Sequence, residues 1–218
     1  VYPGDEIGVD QIISSNSLGL SALIEASGGS PINLGIARDD IDVIRKKLSN
    51  IINADLLVTI GGASVGDYDL IRKILGEKKN KIKISRVAMR PGKPLIFGNI
   101  QGMPMLGLPG NPVSAGVTAM LFLVPTINKL LGSDNYKHPI ESAVTALNLE
   151  ENDSRQDYLR AKLNIEKTGK LSVTPFNYQD SSMLLNFAKA DCLIIRPPFA
   201  KALKKGSQVK IIRLKTFL

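Results

Sequence analysis

Two acidic side chains in a glycine-rich turn are the part of this sequence best suited to chemistry. The stretch from Leu56 to Asp69 reads LLVTIGGASVGDYD. Gly61 and Gly62 let the backbone turn where a side chain would clash. Ser64, Gly66, Asp67 and Asp69 follow, and Leu70, Ile71, Ile74 and Leu75 return at helical spacing. A strand, a glycine turn and a helix together present free backbone N–H groups to an anion at the helix N-terminus. Two carboxylates repel phosphate on their own. They suit a loop in which a divalent cation, Mg²⁺ by preference, sits between them and the phosphate oxygens. The loop has neither the Gly-Lys-Ser/Thr of a P-loop nor a GxGxxG fingerprint. An ordinary βα turn with a capping Asp gives the same local pattern.

Two further loops carry candidate anion ligands. Met89-Arg90-Pro91-Gly92-Lys93-Pro94 sets two cations three residues apart on a backbone stiffened by prolines. Pro109-Gly110-Asn111-Pro112 opens a helix in which Ser114 lies in the first turn, and Pro112 suits that turn because its missing N–H is not needed there. Other chemistries are poorly provided for. His138 has no Cys or His neighbour for a zinc site. Cys192, in the strand-like run DCLII, reads as a buried inert thiol, and one cysteine permits no internal disulfide framework.

The elements that must position these loops follow from the apolar periodicity. Leu56–Ile60 reads as a short buried strand. Ser14, Ser15 and Asn16 are candidate caps of a helix that carries Leu18, Leu20, Leu23 and Ile24 and ends at Gly28-Gly29. Pro31–Gly35 reads as a short strand. Asp39 and Asp40 open a helix with a stripe of Ile41, Ile44, Leu48 and Ile51 or Ile52. Residues 82–88 read as a strand, Leu95–Phe97 and Met103–Leu108 as a hairpin, and Val113 onward as a helix kinked at Pro125 and ended by Gly132. Strands alternating with helices predict an α/β, doubly wound, mostly parallel three-layer sheet domain. Ligands collect at the carboxyl ends of strands in such sheets. The Gly4-Asp5-Glu6 turn, the glycine loop, RPGKP and PGNP all follow predicted strands, so all four are expected to converge.

After Asn135 the pattern changes to short strands at 140–149, 158–165, 171–175, 193–196 and 208–214, with one helix near Met183–Ala188. Leu159, Ala161, Leu163 and Ile165 alternate with polar residues at period 2. The expected division is an α/β domain over 1–140 and a small all-β barrel over 141–218. The net charge of +8 is uneven, +2 over residues 1–143 and +6 over 144–218. Without aromatic interleaving or a recognition helix, that charge does not indicate nucleic acid. The apolar run Val113–Val124 is too short to span a bilayer, so a cytoplasmic protein without membrane partners is expected. Val1-Tyr2 reads as the tail of a strand, which suggests a piece of a longer protein.

In order, these motifs resemble the molybdopterin molybdenumtransferase family, the MoeA proteins to which the gephyrin E domain also belongs. The resemblance rests on GDE, Asn16, GGASVGDYD, RPGKPLIFG, GLPGNPVSA, RQDYLRAKL, FNYQDSS and a final KIIRL. It implies a molybdopterin-binding sheet domain, a C-terminal β-barrel, and two N-terminal domains that this chain lacks. The implied reaction inserts molybdate into adenylylated molybdopterin and releases AMP, with Mg²⁺ as cofactor and a homodimer in the full-length protein. By motif, Glu6, Asp67 and Asp69 would handle the cation and pyrophosphate, with Asp67 and Asp69 as the metal ligands. Gly61, Gly62, Ser64 and Gly66 would hold the phosphate, and Pro109, Gly110, Asn111 and Pro112 are counted with them as cofactor-binding residues. Arg90, Lys93 and Ser114, with Arg155, Arg160 and Ser181 from the β-domain, would bind molybdate. Arg90 stands where the family usually has Lys, so a planar fork replaces a point charge. Ile60 stands where Ser or Thr commonly precedes the glycine pair. Two other functions share parts of this pattern: an adenylyltransferase acting on molybdopterin and ATP, and a non-catalytic scaffold of the gephyrin kind.

Overall fold

The computed structural model describes residues 1–9, 11, 13–37, 40–61, 73, 74, 76, 80–134, 136–167 and 169–214. Gly62, Ser64, Gly66, Asp67 and Asp69 lie outside the described residues, as do Asp39, Leu70, Ile71 and Leu75.

The β-branched run Leu57–Ile60 forms β1, paired in parallel with β5 (Met103–Leu108) from Leu57↔Met105 to Ile60↔Leu108. β5 returns from β4 (Ile96–Ile100) through Gln101-Gly102, whose φ angles are 52° and 93°. Two consecutive positive φ values make the tight hairpin whose twist matches its strands. β2 (Lys81–Ile84) flanks β4 antiparallel, giving the order β1-β5-β4-β2. Among the described strands the sheet is therefore mixed, because the hairpin imposes antiparallel pairing where mostly parallel pairing was expected.

Alternation along the strands sends side chains to two layers. Leu57, Ile96, Ile100 and Met105 pack with Ile44 of α2 (Ile41–Ser49). That helix is capped by Asp40, whose Oδ1 accepts from the N–H groups of Asp42 and Val43. On the other face, Leu106 and Leu108 meet Leu20 of α1 (Asn16–Ala26) and Ala119, Leu123 and Ile127 of α3 (Pro112–Leu130). α3 is apolar and long enough, at 19 residues, to cross a membrane by length and composition. Its buried stripe makes it a core helix instead. Pro125 does not end it. The helix widens to a π turn over Ala119–Leu123, where the Val124 N–H reaches the Ala119 carbonyl five residues back. In that register Pro125 would face the Met120 carbonyl and has no N–H to give. His138 Nε2 bonds to that carbonyl.

Two expected strands differ. No strand forms over residues 31–35, where Asn33 Oδ1 accepts from the Gly35 N–H at 2.9 Å and offers the backbone a turn in place of a ladder. The ladder over 82–88 stops at Ile84, because Val87 donates to the Lys93 carbonyl at 3.1 Å and closes the RPGKP loop instead.

The remaining strands form a closed barrel. β6 (Glu141–Thr145), β7 (Gln156–Ile165), β8 (Leu171–Pro175), β9 (Cys192–Arg196) and β10 (Gln208–Arg213) run in the order 7-8-6-10-9, and β9 closes on β7. Ala143, Ala161, Val173, Cys192, Ile194, Val209 and Ile211 fill it. Burial pushes the Cys192 thiol up to about 12. One strand crosses from the sheet domain: β3 (Met89–Arg90) pairs in parallel with the start of β7. Met89, Val113, Val117 and Leu193 then form a shared apolar cluster with Tyr158 and with Phe187 of α4 (Leu184–Lys189).

Candidate functional site

Two clusters of predicted residues form where the sheet domain meets its loops and the barrel. The first lies at the carboxyl ends of β1 and β5. Gly61 donates to the Leu108 carbonyl at 3.0 Å. A Cβ on Gly110 would sit 3.3 Å from Gly61 Cα, so the two turns approach as closely as bare backbone allows. Asn16, at the start of α1, donates from Nδ2 to the Gly110 carbonyl at 2.7 Å. Asn111 caps α3 by backbone only. Its Oδ1 is buried and has no partner among the described residues. The orphaned amide oxygen beside this close backbone approach can accept from a ligand's hydroxyl or amino group. Pro109 and Pro112 brace the turn on either side.

The second cluster lies at the domain junction. Ser114 is 7% exposed in the first turn of α3. The N–H of its neighbour Val113 donates to the Ser181 carbonyl at 3.3 Å, which brings the two serines together. Arg160 is 1% exposed, and its Nη2 donates to the adjacent Asp180 carbonyl at 3.1 Å. Its Nε is buried without a partner among the described residues. Burial pulls the pKa of this guanidinium down, and Asp180 and Asp157 oppose that shift. It remains a cation at any physiological pH. Gln179 fixes the segment: its amide accepts from the Arg160 N–H and donates to the Arg160 carbonyl, both at 2.9 Å, like one more strand residue. A buried fork with an unpartnered Nε–H, on the segment that brings Ser181 against the first turn of α3, is a candidate anchor for a small oxyanion.

The RPGKP loop lies against the same helix. A Cβ on Gly92 would meet Met89 Cε at 3.0 Å and also crowd Thr118, one turn beyond Ser114. Lys93 is exposed, and no described residue pairs with its ammonium. Glu6 is also exposed, and no described contact joins it to the glycine turn. Among the described residues no group of three His, Cys, Asp or Glu could hold a metal.

Arg90 and Arg155, both expected among the molybdate ligands, are each engaged by carboxylates. Arg90 Nε donates to Asp157 Oδ1 at 2.8 Å, and its Nη2 contacts Asp157 Oδ2 and donates to Asn152 Oδ1 at 3.2 Å. Nη1 reaches Asp153 at 3.3 Å. The hydrogen bond to Asp157 raises the Arg90 pKa further. Arg155 pairs with Asp153 at 3.0 Å, and that bond pulls the Asp153 carboxyl down. The reason is the pleat of β7. Tyr158 points to the junction cluster, whereas Leu159, Ala161 and Leu163 point into the barrel. By parity Arg160 shares the face of Tyr158, and Asp157 shares the opposite face, at the barrel mouth. The mouth is a cleft of about 320 Å³ lined by Arg90, Asp157, Leu159, Phe176 and Arg196.

Comparison with known proteins matches both halves. A model described as a probable molybdopterin binding domain matches residues 1–129, more than half the chain, and one described as the MoeA C-terminal region (domain IV) matches 142–214. The chain belongs to the MoeA family. A molybdopterin molybdenumtransferase of Haemophilus influenzae is 34% identical over 197 residues, 89% of this chain and 48% of that protein. The Nostoc protein of the same name is also 34% identical, over 94% of this chain and 48% of its own length. A crystal structure of a MoeA protein from Pyrococcus horikoshii superposes with a TM-score of 0.77 at 28% identity, covering 99% of this chain and 51% of the other. The chain thus spans about half the length of the curated relatives it matches.

Within this MoeA fold, sequence reasoning missed Asp157 as the partner of Arg90 and Gln179 as a substitute strand. An Asp 67 residues from its Arg leaves no local signal. Gln179 lies in the FNYQDSS motif, so that motif already marked its neighbourhood.

Proposed function

We propose that the protein of which this chain is part inserts molybdate into adenylylated molybdopterin and releases AMP. The observation that carries this reading is the junction cluster of Arg160, Ser114 and Ser181, a few residues along α3 from the Gly61–Gly110 cradle. Two adjoining subsites, one for phosphate and one for a tetrahedral dianion, are what such a reaction requires. In this reading the side-chain-free turns at Gly61 and Gly110 leave space for the phosphate, and Asn111 Oδ1 accepts from the nucleotide or pterin. Arg160 and the serine hydroxyls orient the oxyanion, and Lys93 adds the remaining charge from its loop. Asp67 and Asp69 are the residues that would hold Mg²⁺, which neutralises the pyrophosphate charge when bound. The partly apolar junction excludes water and strengthens these charge-assisted bonds.

Titration calorimetry on the full-length protein tests this. Each charge-assisted hydrogen bond contributes roughly 1.5–3 kcal/mol, so Lys93→Ala should weaken molybdate binding by about one to two orders of magnitude. AMP binding at the cradle should stay nearly constant. Absent molybdate binding, or binding indifferent to Lys93→Ala, refutes metal insertion and leaves an adenylyltransferase or a scaffold.

A further inference from the structure

We infer that Arg90 is a positioning residue: its fork on Asp157 locks the RPGKP loop onto the barrel, and the oxyanion receives no direct bond from it. The inference rests on the molybdate reading above and deepens it. Three observations carry it. Four of the five guanidinium N–H groups are engaged, by both oxygens of Asp157, by Asn152 Oδ1 and by Asp153. Asp157 is 6% exposed, so the fork is largely sheltered from solvent at its carboxylate end. The pleat of β7 also puts Asp157 and Arg160 on opposite faces, so Arg90 is drawn toward the barrel mouth and away from the junction serines.

Between Arg90 and Lys93 lie only Pro91, with its fixed φ, and Gly92, wedged against Met89 and Thr118. A fork anchored at one end therefore sets where the Lys93 ammonium stands at the other. The Val87 N–H to Lys93 carbonyl bond closes the loop behind it and reports its integrity. Lysine in place of Arg90 keeps the charge but cannot grip Asp157 with two parallel bonds. Asparagine in place of Asp157 keeps Arg90 and its charge but loosens the grip.

The experiment measures molybdate and AMP affinity by calorimetry, and exchange of the Val87 amide by NMR, in the full-length protein. Arg90→Ala and Asp157→Asn should each weaken molybdate binding about tenfold, and the double variant should be no weaker than either, because the two residues act as one unit. Arg90→Lys should fail to restore affinity. AMP binding should hold, which also shows that each variant is folded. The Val87 amide should exchange faster in both single variants. If Asp157→Asn leaves molybdate binding unchanged or tighter while Arg90→Lys restores what Arg90→Ala lost, Arg90 is a direct ligand and the inference is overturned. If the wild-type protein binds no molybdate, the functional reading fails and the exchange measurement alone decides. Unchanged Val87 protection in Arg90→Ala and Asp157→Asn then overturns the lock as well.

Discussion

Replacing Gly116 by alanine should change stability with a sign that depends on the residue at position 187. Gly116 lies inside α3, and the Phe187 ring from α4 packs onto its bare Cα. An added Cβ would sit 2.9 Å from Phe187 Cζ and 3.2 Å from Cδ1. Contacts of this kind force the ring or the helix to shift, which typically costs about 1–3 kcal/mol. Alanine also improves helix propensity over glycine by roughly 0.8–1 kcal/mol. The two effects leave Gly116→Ala destabilised by about 0–2 kcal/mol. At roughly 2–4 °C per kcal/mol for a chain of this size, the melting point falls by up to about 8 °C. In a Phe187→Ala background the steric cost disappears and only the propensity gain remains, so the same change should raise the melting point by about 2–4 °C. Calorimetric melts of the four proteins in this cycle give the coupling directly. The same sign and size in both backgrounds would refute the packing argument, because the ring would then not be what Gly116 accommodates.

Three other outcomes are expected. His138 is held neutral because burial lowers its pKa, with the Met120 carbonyl bond partly opposing the shift. A base lowered in the folded state stabilises fully above its unfolded value near 6.5 and loses that contribution as pH falls below it. The urea midpoint of the wild type should therefore drop between pH 7 and 5 by more than that of His138→Gln, and parallel profiles would refute this role. Asp67→Asn with Asp69→Asn should abolish any strengthening of AMP binding by Mg²⁺ in calorimetry, and equal affinities with and without Mg²⁺ in the wild type would remove the metal role. We also propose a domain boundary near residue 140, so limited proteolysis should cut first between Gly132 and Glu141, and a first nick inside the sheet would place the boundary elsewhere.

Local code was legible and long-range choice was not. β1, the existence of the hairpin, the Asp40 cap and the strands of the barrel follow from apolar alternation and capping within a few residues, whereas the hairpin turn proved to be the two residues Gln101-Gly102 and not the whole of Gly98–Gly102. Pro31–Gly35 shows the limit, since its alternation is real but Asn33 diverts the backbone into a turn. Position 125 was legible in part: the proline signals a distortion of the helix, but not that it takes the form of a π turn or that a distant histidine serves the carbonyl left unpaired. For the site, the motifs marked the segments that carry Ser114, Ser181 and Arg160, and the bonds that join those segments, Val113 to Ser181 and Arg160 to Asp180, are long-range. The role of Arg90 was not legible. Composition shows that cations and carboxylates are present, and only the pleat of β7 decides which of them meet.

The two-residue strand β3 has a consequence for how the protein can be divided. Over Asp157–Arg160 strand β7 has β9 on one side, while β8 pairs with it only from Ala161 onward. Gln179 serves the Arg160 end of that gap, and Met89–Arg90 from the sheet domain cover it at Gln156 and Asp157, with the Gln156 N–H donating to the Ala88 carbonyl at 2.9 Å. A barrel excised at residue 141 would expose that stretch of backbone as a bare edge, together with the apolar face that meets Val113 and Val117. Unpaired strand edges template association between chains. The isolated barrel should therefore self-associate, whereas a chain nicked at the linker should stay a single particle, its two halves stitched by a strand that each needs from the other.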